Sequence, residues 1–182
     1  MPTLTEPTTT HYSLEPSHSS AEFAVKHMLI ATTKGRFHDW EVSAQIDEQD
    51  FRNSSATIRL RSGSIDTRQP DRDAHLRSAD FFDAETHPEI VFVTRQIEPK
   101  GGDWRITGDL TIRGVTRPVV LLAEVNGPVT DPWGGRRLGL SATGKINRKE
   151  YGMVWNAALD SGGFVLADEV KISVELELLK QD

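Results

Sequence analysis

Apolar and polar residues alternate with a period of two along most of the chain from His11 onward. This alternation predicts half-buried β-strands, since successive side chains of a strand point to opposite faces. Gly, Pro, Asn and Asp separate the alternating segments, as expected of turns. The pattern predicts about eight strands, centred on residues 21–27, 40–46, 56–60, 90–94, 106–112, 119–125, 138–146 and 170–178.

Two stretches favour other structure. Ser19 and Glu22 have capping-box spacing, which makes a helix the alternative to the strand at 21–27. We expect that strand to end at His27, followed by a short irregular or helical stretch over 28–33 that Gly35 ends. The clearest helix signal begins at Pro70, with acidic residues in its first turn, and predicts a helix to about Phe82.

Many antiparallel strands leave exposed edges unless the sheet closes, and closure into a barrel removes the edges altogether. The hydrophobic content of 37% is low for a two-layer sandwich and sufficient for one shell of inward side chains. The fold expected is therefore all-β, an extended eight-stranded antiparallel barrel with one or two short helices. A barrel of this size is either packed solid or holds one ligand, and alternation does not decide between them.

Length and composition restrict the remaining possibilities. The 182 residues suit one domain, with a flexible tail rich in Thr and Pro at residues 1–10 and the barrel at 11–180. The net charge of −6 argues against a nucleic-acid partner or an anionic membrane surface as main partner. The absence of cysteine excludes disulfides and thiolate metal sites. No signal-peptide pattern or integral membrane segment stands out, so a cytoplasmic location is expected.

Four groups of segments, taken in order and spacing, resemble the YceI-like family of polyisoprenoid-binding proteins over residues 11–179. The third group is the most specific. The first comprises residues 19–27 (SSAEFAVKH) and 35–37. The second comprises 65–67 (IDT), 72–76 (RDAHL), 81–83 (FFD), Pro88 and Phe92. The third comprises 108–119 (GDLTIRGVTRPV), and the fourth comprises 146–152 (INRKEYG) and 168–170 (DEV).

The resemblance implies a lipocalin-like barrel with a long hydrophobic pore. Its implied ligands are isoprenoid quinones, polyprenyl chains and related amphiphiles, carried or stored rather than chemically changed. It implies no cofactor and a possible homodimer. Members of the family are often exported, and this sequence differs from those members in showing no signal-peptide pattern.

A pore for such a ligand needs apolar and aromatic walls with few polar groups. His27 ends an inward-facing alternation and could donate a hydrogen bond to a quinone or head-group oxygen. The residues expected to contact ligand are Phe23, Val25, His27, Met28, Phe37, Trp40, Phe81, Phe82, Phe92, Tyr151, Met153 and Trp155.

Other polar residues leave two alternatives to a lipid carrier open. An enzyme acting on an amphiphile would use His27 or the group formed by Asp71, Asp73 and His75. A ligand-free interaction module would have a barrel filled by its own side chains. No catalytic sequence signature supports the first alternative, and no metal site is expected. Arg148 is expected to pair with a carboxylate such as Glu169, as a latch that closes the barrel.

Overall fold

A computed structural model describes residues 8–182. Most of the expected N-terminal tail, residues 1–7, lies outside the described residues. The first described strand begins at Thr10. No helix within residues 8–182 is long and apolar enough to cross a membrane.

Strands account for most of the described chain, with one α-helix between the sixth and seventh of them. The helix α1 spans Pro70–Arg77. The strands are β1 Thr10–Leu14, β2 Ser20–His27, β3 Ala31–Phe37, β4 Trp40–Ile46, β5 Ser55–Arg61, β6 Ile65–Asp66, β7 Glu89–Lys100, β8 Asp103–Ile112, β9 Val115–Thr130, β10 Arg136–Asn147 and β11 Leu166–Lys180.

These segments form a closed antiparallel barrel of eight strands, because three strands are each interrupted once. β1 and β2 both pair with β11 and act as one strand. β3 continues into β4, and β5 continues into β6, each pair along one direction of the barrel. Each strand then pairs with its neighbours in sequence, and β11 closes the ring. The lipocalin-like, eight-stranded antiparallel barrel expected from the sequence is confirmed.

The barrel has two different ends. The filled end carries residues 47–54 and the turns at 101–102 and 131–135. The open end carries the turn at 28–30, α1 with the loop that follows it, the turn at 113–114 and the segment 148–165. Inward residues near the filled end form a tightly packed core, among them Ala44, Ile46, Ile97, Ile106, Leu138 and Leu178.

A polar cluster and an aromatic pair close the filled end. Tyr12 is fully buried and donates its hydroxyl hydrogen bond to Glu48. Arg136 holds the same carboxylate with two nitrogens, Nε at 2.9 Å and Nη2 at 2.7 Å. At the same end, the rings of Phe51 and Trp104 meet edge to face, 5.0 Å apart. The bottom of the barrel is therefore occupied by protein side chains.

The helix is shorter than the sequence predicted. It ends at Arg77 rather than Phe82, because Ser78 is extended and its hydroxyl bonds to the carbonyl oxygen of His75 at 2.6 Å. Asp83 follows in a left-handed turn with φ of 46°. Phe81 therefore lies in a loop that folds back beneath α1.

The prediction for residues 28–35 is corrected. After a turn at 28–30, the chain enters β3 at Ala31, and Gly35 lies inside the strand instead of ending a helix. Gly35 pairs with Phe23 on β2. A Cβ at position 35 would lie 2.4 Å from Cζ of Phe23. Gly35 therefore leaves room for an aromatic ring. In the sequence alone, a glycine with this role cannot be distinguished from one that ends a helix.

Candidate functional site

An apolar cavity of about 320 Å³ occupies the half of the barrel toward the open end. Its volume lies in the range of small-molecule sites. Several inward-facing apolar residues of β11 are only half-buried, because their side chains face this space. The structure thus favours a ligand-holding barrel over the solid-core alternative. The apolar walls come from Ala21, Ile58, Leu60, Ile90, Leu110, Ile112, Leu121, Ile146, Val170, Ile172 and Val174, together with the residues described below.

Glycines on neighbouring strands make room for the aromatic walls. Phe23 lies against Gly35, and Phe92 lies against Gly108, where a Cβ would come within 2.3 Å of the ring. Each phenyl ring is therefore accommodated against the barrel wall. We infer that these glycines keep the rings from projecting farther into the cavity.

The structure brings most of the predicted site residues together around the cavity. Whether they contact a ligand stays a prediction. Those that line the cavity are Phe23, Val25, His27, Phe37, Phe81, Phe82, Phe92, Met153 and Trp155.

Three predicted residues lie away from the cavity lining. Met28 is exposed in the turn after β2. Trp40 begins β4, where it pairs with Leu60 and packs at the edge of the core. Tyr151 lies in the short turn after β10 and contributes to a separate, more polar pocket. Alternation alone did not distinguish cavity, core and turn positions for these large side chains.

Tyr151 is 1% exposed, and its hydroxyl has no hydrogen-bond partner among the described residues. Burial, together with the nearby Glu150 carboxylate, raises the pKa of the phenol to about 12. The residue therefore stays neutral at ordinary pH, and it borders the polar pocket beside β9, β10 and β11 rather than the apolar cavity.

Three rings, one each from α1, the loop after it and the segment 148–165, cover the open end. The imidazole of His75 meets the ring of Trp155 edge to face at 4.7 Å and that of Phe81 at 5.0 Å. Phe81 and Trp155 lie 5.5 Å apart. These contacts join the loop after α1 to the segment 148–165, so the two loops form one cover.

The proposed Asp71–His75 group is corrected. Nε2 of His75 lies 2.8 Å from a carboxylate oxygen of Asp80, not of Asp71, which is exposed. Asp73 points the other way and accepts two hydrogen bonds from Thr67, which fastens α1 to the end of β6. The sequence spacing of four had suggested a shared helix face, but the loop that folds back supplies the nearer acid.

Arg148 lies on the cavity side of the cover and bonds to its main chain. The residue is 2% exposed and borders the cavity. Its guanidinium donates to four main-chain carbonyl oxygens, those of Met153 at 2.7 Å, Trp155 at 2.8 Å, Ala167 at 2.9 Å and Leu166 at 3.4 Å. These bonds hold both ends of the segment that crosses the open end.

The latch predicted for Arg148 exists with different partners. The nearest carboxylate is that of Asp168 at 3.6 Å, whereas Glu169 lies next to Lys145. Burial lowers the pKa of Arg148, and Asp168 opposes that shift. Gly152 has a positive φ of 79° and ends the turn that begins at Arg148. Most hydrogen-bond acceptors of Arg148 are backbone carbonyl oxygens, which cannot be identified as its partners from the sequence.

Sequence reasoning missed several lining residues. Val165 and Leu166 close the cavity next to the turn of β2 and β3, and Arg72 and Leu76 reach it from α1. The alternation in β11 marks Val170, Ile172 and Val174 as inward-facing, which was the available signal for them. Arg72 gave no such signal, since its position depends on hydrogen bonds to Thr67.

The cavity is thus suited to an apolar chain with a polar group at one end. Its walls are aliphatic and aromatic, whereas its few polar side chains, such as His27, Thr33 and His75, lie toward the open end. Thr33 pairs with Val25, and His27 pairs with Ala31, next to the turn. An amphiphile would place its tail toward the filled end and its head group among these side chains.

Comparisons with known proteins agree with this architecture. The YceI-like domain family matches residues 12–178. A UPF0312 protein of Staphylococcus aureus is 36% identical over 169 residues, covering 92% of this chain and 96% of that protein.

Solved structures share the fold. The Burkholderia cenocepacia protein BcnA superposes with a TM-score of 0.79 at 24% identity, over 90% of this chain and 98% of that one. The Campylobacter jejuni YCEI protein gives 0.72 at 28% identity, over 86% and 90%. A polyisoprenoid binding domain from Saccharophagus degradans gives 0.69 at 16% identity, over 93% and 98%. With the family match spanning nearly the whole barrel, this chain belongs to the YceI-like family.

Proposed function

We propose that this chain binds a long-chain isoprenoid or a similar amphiphilic lipid, such as a polyprenyl chain or an isoprenoid quinone, for carriage or storage. The observation that carries the proposal is the apolar cavity that ends among a few polar side chains. The description of the Saccharophagus degradans domain as polyisoprenoid binding supports the ligand class.

Burial of hydrocarbon supplies the affinity. Each methylene group removed from water contributes about 0.8 kcal/mol, before the cost of ordering the chain. Branched isoprenoid methyl groups would pack against the aliphatic side chains of β11 and against the rings of Phe23 and Phe92. We infer that this wall recognises an apolar chain by shape and area.

His27 is the residue we propose for the head group. It lines the cavity at the open end, and its imidazole makes no hydrogen bond to another described side chain. A ring N–H can donate to a quinone carbonyl oxygen. We expect the His27→Leu variant to keep its affinity for a polyprenyl hydrocarbon and to lose its preference for a quinone bearing the same tail.

The main test is mass spectrometry of an organic extract from the purified protein, which we expect to contain an isoprenoid lipid. Val170 lines the cavity next to Val25, with which it pairs across β11 and β2. The larger side chain of the Val170→Trp variant would fill part of the cavity, so this variant should carry much less lipid. Val93→Trp is the matched control, because Val93 is 44% exposed on the outside of β7. Equal lipid in all three proteins, or none in any of them after exposure to isoprenoid lipids, would refute the proposal.

We propose a binding protein rather than an enzyme. The family membership and the largely apolar walls support this interpretation. The His75–Asp80 pair belongs to the cover, where its imidazole packs between two aromatic rings. A cytoplasmic location and a homodimer stay predictions. Cell fractionation and light scattering of the purified protein, respectively, would test them.

A further inference from the structure

The turn between β2 and β3 exposes three consecutive apolar side chains. Met28 is 39% exposed, Leu29 72% and Ile30 83%. Phe164, 59% exposed, belongs to the neighbouring loop. The two elements are joined by a hydrogen bond from Met28 N–H to the Val165 carbonyl oxygen at 2.7 Å. These four residues form what we call the apolar tip.

The backbone of the apolar tip is unfavourable for the residues it carries. Met28 and Leu29 have φ values of 54° and 63°. The N–H of Ile30 donates a hydrogen bond of 3.2 Å to the carbonyl oxygen of His27, and this bond closes the turn. Hairpin turns with two positive φ values are normally occupied by Asn and Gly, since bulky side chains are strained there. The protein therefore tolerates both strain and apolar exposure at this turn.

The apolar tip adjoins the cavity. His27 precedes it and lines the cavity, and Val165 and Leu166, which follow Phe164, line the cavity as well. A surface that touched the tip would lie at the entrance through which an apolar ligand passes.

Basic residues lie beside the tip on the outer face of the barrel. Lys34 and Lys171 both pair with Ala24, one from each side, so their Cα atoms are about 10 Å apart. Lys26 lies two residues further along β2 on the same face, toward the tip. These three lysines are exposed and form no ion pair with a described residue.

The acids near the lysines are largely neutralised. Glu22 pairs with Arg36 at 3.0 Å, and Glu169 lies 3.6 Å from Lys145. Asp160, in the turn beside Gly163, is exposed and opposes the lysines in part. In a chain of net charge −6, the three lysines thus form a local basic surface. Folding brings them together from three strands, so they are not apparent as a cluster in the sequence.

We propose that the apolar tip and the lysines beside it dock this protein on the surface of an anionic lipid bilayer. Apolar side chains that enter the interface, together with basic side chains at the head groups, are the two signals that membrane-surface binding combines. The proposal rests on the proposed function, because a bilayer is where an apolar ligand would be taken up or delivered. The other possible occupant of the tip, a second copy of the chain, is distinguished below.

The test is flotation of the protein with phosphatidylcholine vesicles, with and without phosphatidylglycerol. We expect wild-type protein to bind the anionic vesicles. The double variant Met28→Asn/Leu29→Gly should bind at least tenfold more weakly, from the loss of two apolar side chains. The same variant should unfold at a higher temperature, because Asn and Gly suit the turn. Weaker binding therefore cannot be attributed to misfolding.

Charge variants test the second signal. Each of Lys26→Gln, Lys34→Gln and Lys171→Gln should weaken binding to anionic vesicles about fivefold, and Asp160→Asn should strengthen it by a similar factor.

Trp133→Gln is the matched control for the loss of exposed apolar side chains from the tip, because Trp133 is 87% exposed at the filled end. We expect that variant to bind like the wild type.

Three results would overturn the proposal: no flotation of the wild-type protein, equal binding by the tip variant, or equal loss in the Trp133 control. A dimer that becomes a monomer in the tip variant, without vesicle binding by the wild type, would assign the tip to a second copy of the chain. Lipid in the organic extract is measured separately. A protein that carries isoprenoid without vesicle binding would refute the docking alone, and vesicle binding without any lipid uptake would refute the proposed function.

Discussion

The ring of Phe23 occupies the place where a side chain of Gly35 would lie, directly across from it on the next strand. A Cβ at position 35 would be 2.4 Å from Cζ of Phe23 and 2.9 Å from Cγ2 of Thr67. Thr67 is held in turn by Asp73 at the start of α1. A side chain at position 35 would therefore disturb both the ring that forms part of the cavity wall and the threonine that anchors α1.

We expect Gly35→Ala to displace the Phe23 ring and to destabilise the protein by about 1–3 kcal/mol, as is typical of overpacking. It should also reduce lipid uptake, since the ring would move into the cavity. Urea unfolding and lipid-loading measurements would check both effects. Phe23→Leu in the same chain should restore much of the stability. Gly63→Ala is the control, because no atom lies within 4 Å of a Cβ there. Equal effects at both glycines would contradict the explanation.

Arg148→Met should destabilise the segment 153–167 by about 3 kcal/mol, because charged hydrogen bonds to buried carbonyl oxygens are lost. Hydrogen exchange should show faster exchange in that segment than in β4 and β5. Arg148→Lys should not restore protection, since an ammonium group lacks the planar spread of donors. Lys149→Met is the control: this side chain is 48% exposed, and its one ion pair within residues 8–182 is with Asp168. Unchanged exchange in Arg148→Met would show that other contacts hold the cover.

Trp155→Ala should open the cover. The variant loses ring contacts with His75 and Phe81, and we expect a bound lipid to leave about tenfold faster, which corresponds to about 1.4 kcal/mol. Stopped-flow transfer of a fluorescent isoprenoid analogue to empty acceptor vesicles would measure the rate. Trp133→Ala provides a tryptophan deletion at the other end of the barrel. Equal release rates in both variants would place the exit elsewhere.

Glu48 makes the filled end sensitive to acid. The hydrogen bonds from Arg136 and, secondarily, from Tyr12 lower the pKa of Glu48 from 4.5 to about 2. This carboxylate therefore stabilises the fold fully above about pH 4.5, and its contribution is lost as the pH falls toward 2. Urea midpoints across that range should decline less in Glu48→Gln than in the wild type. Glu85→Gln, an exposed control, should decline like the wild type.

The strands and barrel closure could be predicted because burial on one face imposes a period of two, which the sequence displays directly. Gly35 shows where that reasoning stops. A glycine inside a strand and a glycine that ends a helix look alike in a sequence, and the ring that decides between them belongs to another strand. The helix end at Arg77 depends likewise on a serine hydroxyl bond to a main-chain oxygen.

The apolar character of the site could be predicted from the sequence, whereas the identity of several of its residues could not. Phe81 and Trp155 lie far apart in the sequence and meet in the fold, where Arg148 bonds to the main chain of Trp155. Asp80 replaces Asp71 beside His75 for a similar reason, since the loop after α1 folds back. The three lysines beside the apolar tip come from β2, β3 and β11 and become neighbours only when the barrel closes.

The pairing of β1 with the last residues of β11 closes the ring, and it also has a practical consequence. Tyr12 pairs with Lys180, so the first and last strands both reach the filled end. A surface tether, fluorophore or fused domain joined beyond either of these residues would lie on the side away from the open end. Immobilised molecules would then all present the ligand entrance to the solution, which suits single-molecule measurements of lipid exchange.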